Sequence, residues 1–165
     1  SKNIFYISED DIKGPLMNID FLEKIQVSKK YPNRIIIKVF ETYPIAKIYI
    51  EEKKFFLDSS SKLTPYQEGL NYINLPNVFG ESAEDHFADF LKKLQDSKFP
   101  YKNIKNYYYY KIGRWDLQLL DDKVIKFPHS KIIIAIRKSI ELIDHEEFKN
   151  YKVIDLRLHD KIIVE

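Results

Sequence analysis

The sequence predicts an α+β fold, and three observations carry this prediction. The chain has 165 residues, of which 44% are hydrophobic and 15% aromatic, so it can bury a core and is not a disordered chain. Most apolar residues lie in short β-branched runs bounded by Pro, Gly, Asn or Asp, as strands do. Two stretches instead repeat apolar residues at helical spacing and interrupt the strands without strict alternation. This order is typical of a mostly antiparallel sheet with two packed helices.

The first 43 residues predict a short helix and a hairpin. Ser8 can cap a helix that runs to Leu16, and the stretch 17–24 predicts one or two further helical turns. The β-branched run at 34–41 predicts a strand that pairs with 25–27 across a turn at Pro32.

From residue 44 onward the pattern predicts strands separated by two helices. The strands are predicted at 46–50, 54–58, 104–112, 114–119, 123–127, 152–158 and 161–165, and an extended linker at 75–80. Ser82 and Asp85 predict an acidic capping box, and Ser130 predicts the cap of the second helix. The expected core consists of one helix face from each helix and one face of a strand: Phe87, Phe90, Leu91, Leu94, Ile133, Ile136, Ile140, Ile143, Trp115 and Leu117.

Composition and spacing favour no catalytic chemistry. The formal net charge is +2, which gives no general field for nucleic acid or an anionic membrane, and cysteine is absent. The four histidines do not fall at metal-ligand spacing, and the four glycines are too scattered for a phosphate-binding loop. We therefore expect no enzyme, no metal and no cofactor.

One stretch leaves an alternative function open. The run from Tyr107 to Trp115 interleaves aromatic residues with Lys111 and Arg114, as single-strand nucleic-acid binders do. In a half-buried strand, however, alternate tyrosines face opposite sides and serve packing. Packing is the favoured interpretation because the near-neutral charge lacks the electrostatic footprint of nucleic-acid binding, and a nucleic-acid-binding β module stays as the alternative.

Three stretches together resemble the FtsQ/DivIB family of bacterial cell-division proteins, in particular its alphaproteobacterial branch. In the first, a Pro turn and strand run into Glu41-Thr-Tyr-Pro44-Ile-Ala46. The second contains Gly113-Arg114-Trp115-Asp116-Leu117, and the third contains Val153-Ile-Asp155-Leu156-Arg157 before a final hairpin. Leu75-Pro76 with Gly80 also resembles the family's motif before a helix. The order and spacing of these motifs extend over nearly the whole chain.

The resemblance implies an inner-membrane protein with one N-terminal membrane helix, absent from this chain, and a periplasmic part at the division septum. We expect a partial POTRA domain at 1–43, without its first strand and helix, and an FtsQ-type β domain at 44–165. The implied function is a non-enzymatic divisome scaffold that links early and late division proteins to septal peptidoglycan synthesis. FtsB- and FtsL-like proteins are the implied partners, with other divisome proteins through the POTRA domain and no nucleic acid.

The candidate site is the last predicted strand. The segment Lys161, Ile162, Ile163 and Val164 follows a tight turn at His159 and Asp160, pairs with 153–158 and can form an open sheet edge. An ordinary closing strand covered by its own loops is an equally good interpretation of these residues alone; the resemblance favours a partner strand added there. Arg157 would then anchor a partner carboxylate, beside Leu158 and Arg114. A Pro at Ile163 is expected to remove one donor of the ladder.

Overall fold

The computed structural model of the chain describes residue 6 and the ranges 8–16, 20–68, 74–158 and 161–165. In the described part, a small N-terminal hairpin precedes one large sheet that carries two helices.

The N-terminal segment forms helix α1 (Glu9–Leu16) and an antiparallel hairpin of β1 (Leu22–Lys30) and β2 (Arg34–Glu41). Ser8 caps α1 as predicted: its Oγ accepts a hydrogen bond from the Asp11 N–H at 3.1 Å, and its own N–H donates to the Asp11 carboxylate at 2.9 Å. The helical turns predicted at 17–24 are wrong at Leu22 to Lys24, which begin β1, because pairing with β2 extends the hairpin to Glu41; residues 17–19 lie outside the described ranges.

The large sheet has nine described strands. They are β3 (Pro44–Ile50), β4 (Lys53–Asp58), β5 (Leu63–Pro65), β6 (Asn77–Phe79), β7 (Ile104–Tyr110), β8 (Arg114–Leu119), β9 (Val124–Lys126), β10 (Val153–Asp155) and β11 (Ile163–Val164). Their spatial order is β11-β10-β9-β8-β7-β6-β3-β4-β5. Helix α2 (Ala83–Asp96) connects β6 to β7, and α3 (Ile132–Asp144) connects β9 to β10; single 3-10 turns occupy Tyr101–Asn103 and Glu146–Phe148.

The sheet is mixed, with antiparallel pairings in the majority as predicted and three parallel pairings that were not predicted. Among the described strands, β3–β6, β6–β7 and β9–β10 pair in parallel, and the other five pairings are antiparallel. A helix that follows a strand returns the chain to the end where that strand began, so α2 and α3 each produce a parallel pair. The segment predicted as an extended linker at 75–80 contains β6, which lies between two longer strands and takes its pairing from them.

The core lies between one face of this sheet and the two helices. The predicted residues Phe87, Phe90, Leu91, Leu94, Trp115, Leu117 and Ile136 are buried. Ile133, Ile140 and Ile143 are half-buried instead, because α3 turns Ala135, Ser139 and Leu142 inward. Ser139 tolerates burial because its hydroxyl donates to the Ile136 carbonyl at 2.7 Å.

The two predicted caps of α2 and α3 do not form as expected. Ser82 occupies the N-cap position of α2 at φ 62°, but its side chain makes no capping hydrogen bond. Helix α3 begins after Lys131, which takes the N-cap position at φ 55° in place of the predicted Ser130. A capping serine normally has an extended backbone conformation. Both N-cap residues are left-handed instead, which explains both differences.

The opposite face of the sheet, called the outer face here, carries no helix among the described residues. Tyr49, Phe79 and Tyr108 form a row of parallel rings across β3, β6 and β7, with centroids 5.0 and 5.3 Å apart. At β4 this face is covered by Phe21, whose ring meets Phe56 edge-on at 6.1 Å and so joins the hairpin segment to the large sheet.

Candidate functional site

Strand β11 forms one end of the nine-stranded sheet. It pairs antiparallel with β10, with Ile154 opposite Val164 and Asp155 opposite Ile163. The predicted pairing of the last two strands is therefore confirmed, although both strands are shorter than predicted. No described strand lies beyond β11, so this edge of the sheet is open within the described residues.

The register decides which backbone groups point away from the sheet. Val153 and Glu165 exchange both of their N–H···O=C hydrogen bonds, at 3.1 and 3.2 Å. In an antiparallel ladder such pairs alternate with non-hydrogen-bonded pairs. The backbone N–H and C=O of Ile163 therefore point toward β10, and those of Val164 point away from it. A Pro at Ile163 would therefore remove a hydrogen bond of the protein's own ladder, and Val164 carries the donor available to an added strand.

The side chains of the predicted site differ in exposure. Ile163 is 43% exposed and Leu158 is 54% exposed, which is high for large apolar residues. Lys161 is exposed, whereas Ile162 is half-buried and packs against the core. The predicted site residues His159 and Asp160 lie outside the described ranges. The described site residues thus form a short apolar edge next to one lysine.

Arg157 forms an ion pair with a carboxylate of its own chain. Its Nε donates to both Asp155 carboxylate oxygens at 2.9 Å, and its Nη2 donates to Oδ2 at 2.5 Å. Burial alone would raise the pKa of Asp155, but the hydrogen bonds and charge of Arg157 outweigh it and hold that pKa below its usual value. Asp155 occupies the Nε–Nη2 edge of the guanidinium and fixes its position on the outer face, while Nη1 is not part of this pair.

Arg114 lies on the same face, where it makes a looser pair. Its Nε is 3.4 Å from Asp116 Oδ1, but neither atom makes a hydrogen bond of acceptable geometry, and its guanidinium lies 4.0 Å from the centre of the Tyr110 ring. Burial raises the pKa of the Asp116 carboxyl and outweighs the opposing charges of Arg114 and Arg157. Asp116 therefore lies near both arginines, and the fold brings these two predicted site residues to one surface.

A row of charged residues connects the two arginines. Lys126 on β9 stands opposite Asp116 on β8 and opposite Asp155 on β10, so three charges alternate across three strands. Strand alternation could place each residue on a face, but only the strand order places β9 between β8 and β10. For this reason Lys126 could not be assigned to the site from the sequence.

The aromatic stretch of the alternative function does not form an open platform. Tyr107, Tyr109 and Trp115 point into the core, where they are buried. One ring face of Tyr108 stacks on Phe79, and the Tyr110 ring is covered by Arg114. Stacking of nucleic-acid bases requires accessible ring faces, and this arrangement therefore does not favour the nucleic-acid-binding alternative.

The described residues form neither a metal site nor a membrane-spanning helix. In the described ranges, no group of three or more His, Cys, Asp or Glu side chains is placed to hold a metal ion. Within the same ranges, no helix has the length and apolar character needed to cross a membrane.

Comparison with known proteins gives a consistent set of relatives. Residues 49–157 match the family model described as "Cell division protein FtsQ/DivIB, C-terminal". Cell division protein FtsQ of Rickettsia conorii is 31% identical over 173 residues, covering 98% of this chain and 61% of the relative. The FtsQ protein of Rhizobium radiobacter is 24% identical over 169 residues, covering 100% of this chain and 80% of the relative. The chain thus spans about three fifths of the length of the Rickettsia relatives.

The chain is also similar to a solved structure. The major extracytoplasmic domain of the cell division protein DivIB from Geobacillus stearothermophilus gives a TM-score of 0.43 at 16% sequence identity, and the match covers 68% of this chain and 99% of that chain.

Proposed function

The chain belongs to the FtsQ/DivIB family of cell division proteins, and from this premise we propose that it is a non-enzymatic scaffold of the bacterial divisome. In this proposal it binds FtsB- and FtsL-like proteins through the open edge of β11. The observation that carries the proposal is the outward-facing backbone of Val164 beside the exposed Ile163, at one end of the sheet. An extended partner segment that pairs there would satisfy these groups as a tenth strand.

The composition of the edge supports a different protein as the partner, rather than a second copy of this chain. Sheet edges that remain open are usually blunted by charge, Pro or a covering loop. Here the charged residues Lys161 and Glu165 flank three apolar ones, and the strand itself contains two residues. A two-residue strand can form few backbone hydrogen bonds with the same strand of a second copy of the chain. We therefore propose that a longer partner segment supplies additional contacts.

The arginines on the outer face support an acidic partner. Arg157 is held in place by Asp155 at the end of β10, next to the strand β11 that the partner would pair with. A guanidinium that is already positioned loses little side-chain entropy when a second carboxylate binds it. We propose that Arg157, with Arg114 farther along the same face, binds a carboxylate of the partner segment.

The domain division and location also belong to this proposal. We assign 1–43 to part of a POTRA domain and 44–165 to the β domain, a division supported by the separate β1–β2 sheet. We place this part of the protein in the periplasm at the septum, attached to the inner membrane by a single N-terminal helix. Its role there is to link early and late division proteins and septal peptidoglycan synthesis, with further divisome contacts through the N-terminal part.

A binding measurement tests the strand addition. The wild-type chain and the variants Val164→Pro and Val164→Ala are titrated with the extracytoplasmic segment of the FtsB-like protein from the same bacterium. Val164→Pro lacks the outward N–H and should weaken binding at least about tenfold, because a ladder bond is lost and the ring obstructs pairing. Val164→Ala keeps the N–H and should bind within about threefold of the wild type. Equal affinity of the wild-type and Val164→Pro chains, both folded by circular dichroism, would exclude strand addition at β11.

A further inference from the structure

A cavity opens at the end of the large sheet where three parallel strands begin. Because β3, β6 and β7 run in the same direction, their first residues Pro44, Asn77 and Ile104 lie at one end of the sheet, and all three border the cavity. Helix α2 returns the chain to this end, so Leu91 and Gln95 of its C-terminal half close one side. The cavity has a volume of about 780 Å³, which is within the range of pockets that hold small organic ligands.

The inner wall of the cavity is apolar and contains one unsatisfied donor. Leu91, Ile104 and Tyr107 line this wall and are buried. The Tyr107 ring is fixed by edge-on contacts with Phe87 and Phe90. Its hydroxyl is buried and has no hydrogen-bond partner in the described part of the chain, whereas a buried tyrosine hydroxyl usually has one. A ligand oxygen that reaches this wall would accept the missing hydrogen bond.

The rim of the cavity is positively charged. Among its described lining residues are Lys47, Lys102 and Lys105, and none is Asp or Glu. Lys105 lies 3.3 Å from the Asp122 carboxylate, but no carboxylate of the described ranges lies within ion-pair distance of Lys47 or Lys102. Burial lowers the pKa of Lys47, and the charge of Lys54 lowers it further. An anion bound here would supply the counter-charge that the Lys47 ammonium group lacks.

The C-terminus of α2 does not offset this positive charge. The last carbonyls of a helix carry a partial negative charge, which disfavours a bound anion. In α2, the carbonyls of Lys93, Leu94 and Gln95 accept hydrogen bonds from the backbone N–H groups of residues 97–99. These carbonyls are therefore satisfied within the chain, and the lysine ammonium groups remain the main charges at the rim.

We propose that this cavity binds a small organic anion in which an apolar body carries one carboxylate. The apolar body lies against Leu91, Ile104 and the Tyr107 ring, and the carboxylate pairs with Lys47 and Lys102. The site lies where β3, β6 and β7 begin, several strands away from β11. The inference therefore does not rest on the strand addition proposed above, and each can fail without the other.

The charge contact is tested by fluorescence titration with anilinonaphthalene sulfonate, an apolar dye with one negative charge, and with phenylnaphthylamine, which is the same body without the sulfonate. The double variant Lys47→Gln/Lys102→Gln should bind the sulfonate about tenfold more weakly than the wild type, and both chains should bind the neutral dye alike. The matched control is Lys53→Gln/Lys92→Gln, in which both lysines are exposed and lie outside the lining. Equal sulfonate affinities of the wild type and Lys47→Gln/Lys102→Gln would overturn the anion site.

The place of binding is tested with Gln95→Trp. Gln95 is exposed at the rim, so an indole there should obstruct the cavity and weaken binding of both dyes at least about tenfold without unfolding the chain. The matched control is Lys92→Trp, since Lys92 is exposed on the same helix outside the lining, and it should bind within about twofold of the wild type. Wild-type affinity in a folded Gln95→Trp chain would exclude the cavity.

Competition and NMR test the ligand class and the site in the wild-type chain. Decanoate and naphthoate are added separately to the chain saturated with the sulfonate dye. Displacement by decanoate alone assigns an acyl body, displacement by naphthoate alone an aromatic one, and displacement by both shows that the cavity accepts either body. Failure of both carboxylates would show an adventitious dye only and overturn the carboxylate class. On addition of the displacing carboxylate, amide chemical shifts should change around Lys47 and Lys102; changes confined to the exposed apolar residues at 36–40 would overturn the site.

Discussion

The rings of Phe90 and Trp115 lie parallel, with centroids 4.8 Å apart and planes 2° apart. This contact stacks helix α2 directly on strand β8. Phe90 is 2% exposed and also meets Tyr107 and Phe127 edge-on, at 6.2 Å in each case. The side chain at position 90 therefore joins the helix to three strands or strand ends at once.

Truncation of Phe90 to Ala should consequently lower the free energy of unfolding by about 3–5 kcal/mol, since it leaves a cavity beneath α2. Urea titration followed by tryptophan fluorescence measures the change. Leu120→Ala serves as the exposed control and should change stability by less than about 0.5 kcal/mol. A loss below about 1 kcal/mol at Phe90 would mean that α2 is peripheral to the core.

Gly80 connects β6 to the start of α2 in a conformation that a side chain would obstruct. Its φ is +122°, and a Cβ built on it would lie 2.3 Å from the Tyr109 carbonyl oxygen. Gly80→Ala should lower the melting temperature by well over 5 °C, because both backbone strain and the clash with β7 oppose folding. Gly14→Ala is the control, since its Cβ meets nothing within 4 Å and helix α1 favours Ala. Similar melting temperatures for the two variants would contradict this description of the β6–α2 turn.

Asp155 and Asp116 should influence stability with opposite signs. The folded pKa of Asp155 is lowered, so its charge stabilises the protein above the unfolded-state pKa and this contribution is lost as pH falls through the folded pKa. The folded pKa of Asp116 is raised, so its ionisation costs stability once pH rises above the unfolded-state pKa. Asp155→Asn should therefore destabilise the protein at pH 7, and Asp116→Asn should be neutral or stabilising there.

Both differences from the wild type should disappear toward low pH, where the aspartates of the folded and unfolded chains are protonated. Urea unfolding at pH 7 and at about pH 3, below the unfolded-state pKa, measures this convergence for Asp116→Asn; Asp155→Asn requires a still lower pH because its folded pKa is lower. If the two variants shift stability in the same direction at pH 7, the assigned pairing of Asp155 with Arg157 or the burial of Asp116 is wrong.

Arg157→Ala should weaken binding of the FtsB-like segment by about 2 kcal/mol if the guanidinium is an anchor of the interface. Some loss of stability is also expected because Asp155 loses the hydrogen bonds from the Arg157 side chain. Circular dichroism at the binding temperature separates the two effects. Arg34→Ala, in an exposed position at the start of β2, is the matched control and should bind normally. An unchanged affinity in a folded Arg157→Ala chain would remove Arg157 from the site.

The parts of the fold that depend on residues close together in the sequence could be predicted. The hairpin of β7 and β8 and the apolar stripe from Phe87 to Leu94 are set by local periodicity, and both are present. The parallel pairing of β6 with β3 could not be predicted, because a three-residue strand has no periodicity of its own. The burial of Ser139 depends likewise on a hydrogen bond that hydrophobic patterning does not detect.

The candidate site divides in the same way. Its place at β11 could be predicted because a tight turn followed by an apolar run is typical of a strand that pairs with the preceding one, and β11 pairs with β10 at the edge of the described sheet. Whether the N–H of Ile163 or that of Val164 points outward depends on the register of β11 against β10. A shift of one residue would exchange the two. The proximity of Arg114 and Arg157 required the spatial order of three strands, β8, β9 and β10, the last of which is separated from the others by α3 in the chain.

The position of β6 has a mechanical consequence for the proposed scaffold function. Among the described strands, β6 alone connects the β3–β4–β5 half of the sheet to the half that ends in β11, through two residue pairs with β3 and three with β7. Tension between a partner on β11 and an attachment at the N-terminal hairpin would act across the sheet and peel neighbouring strands apart. The stacked rings of Tyr49, Phe79 and Tyr108 cross this joint on the outer face and would bear that load together with the few hydrogen bonds of β6.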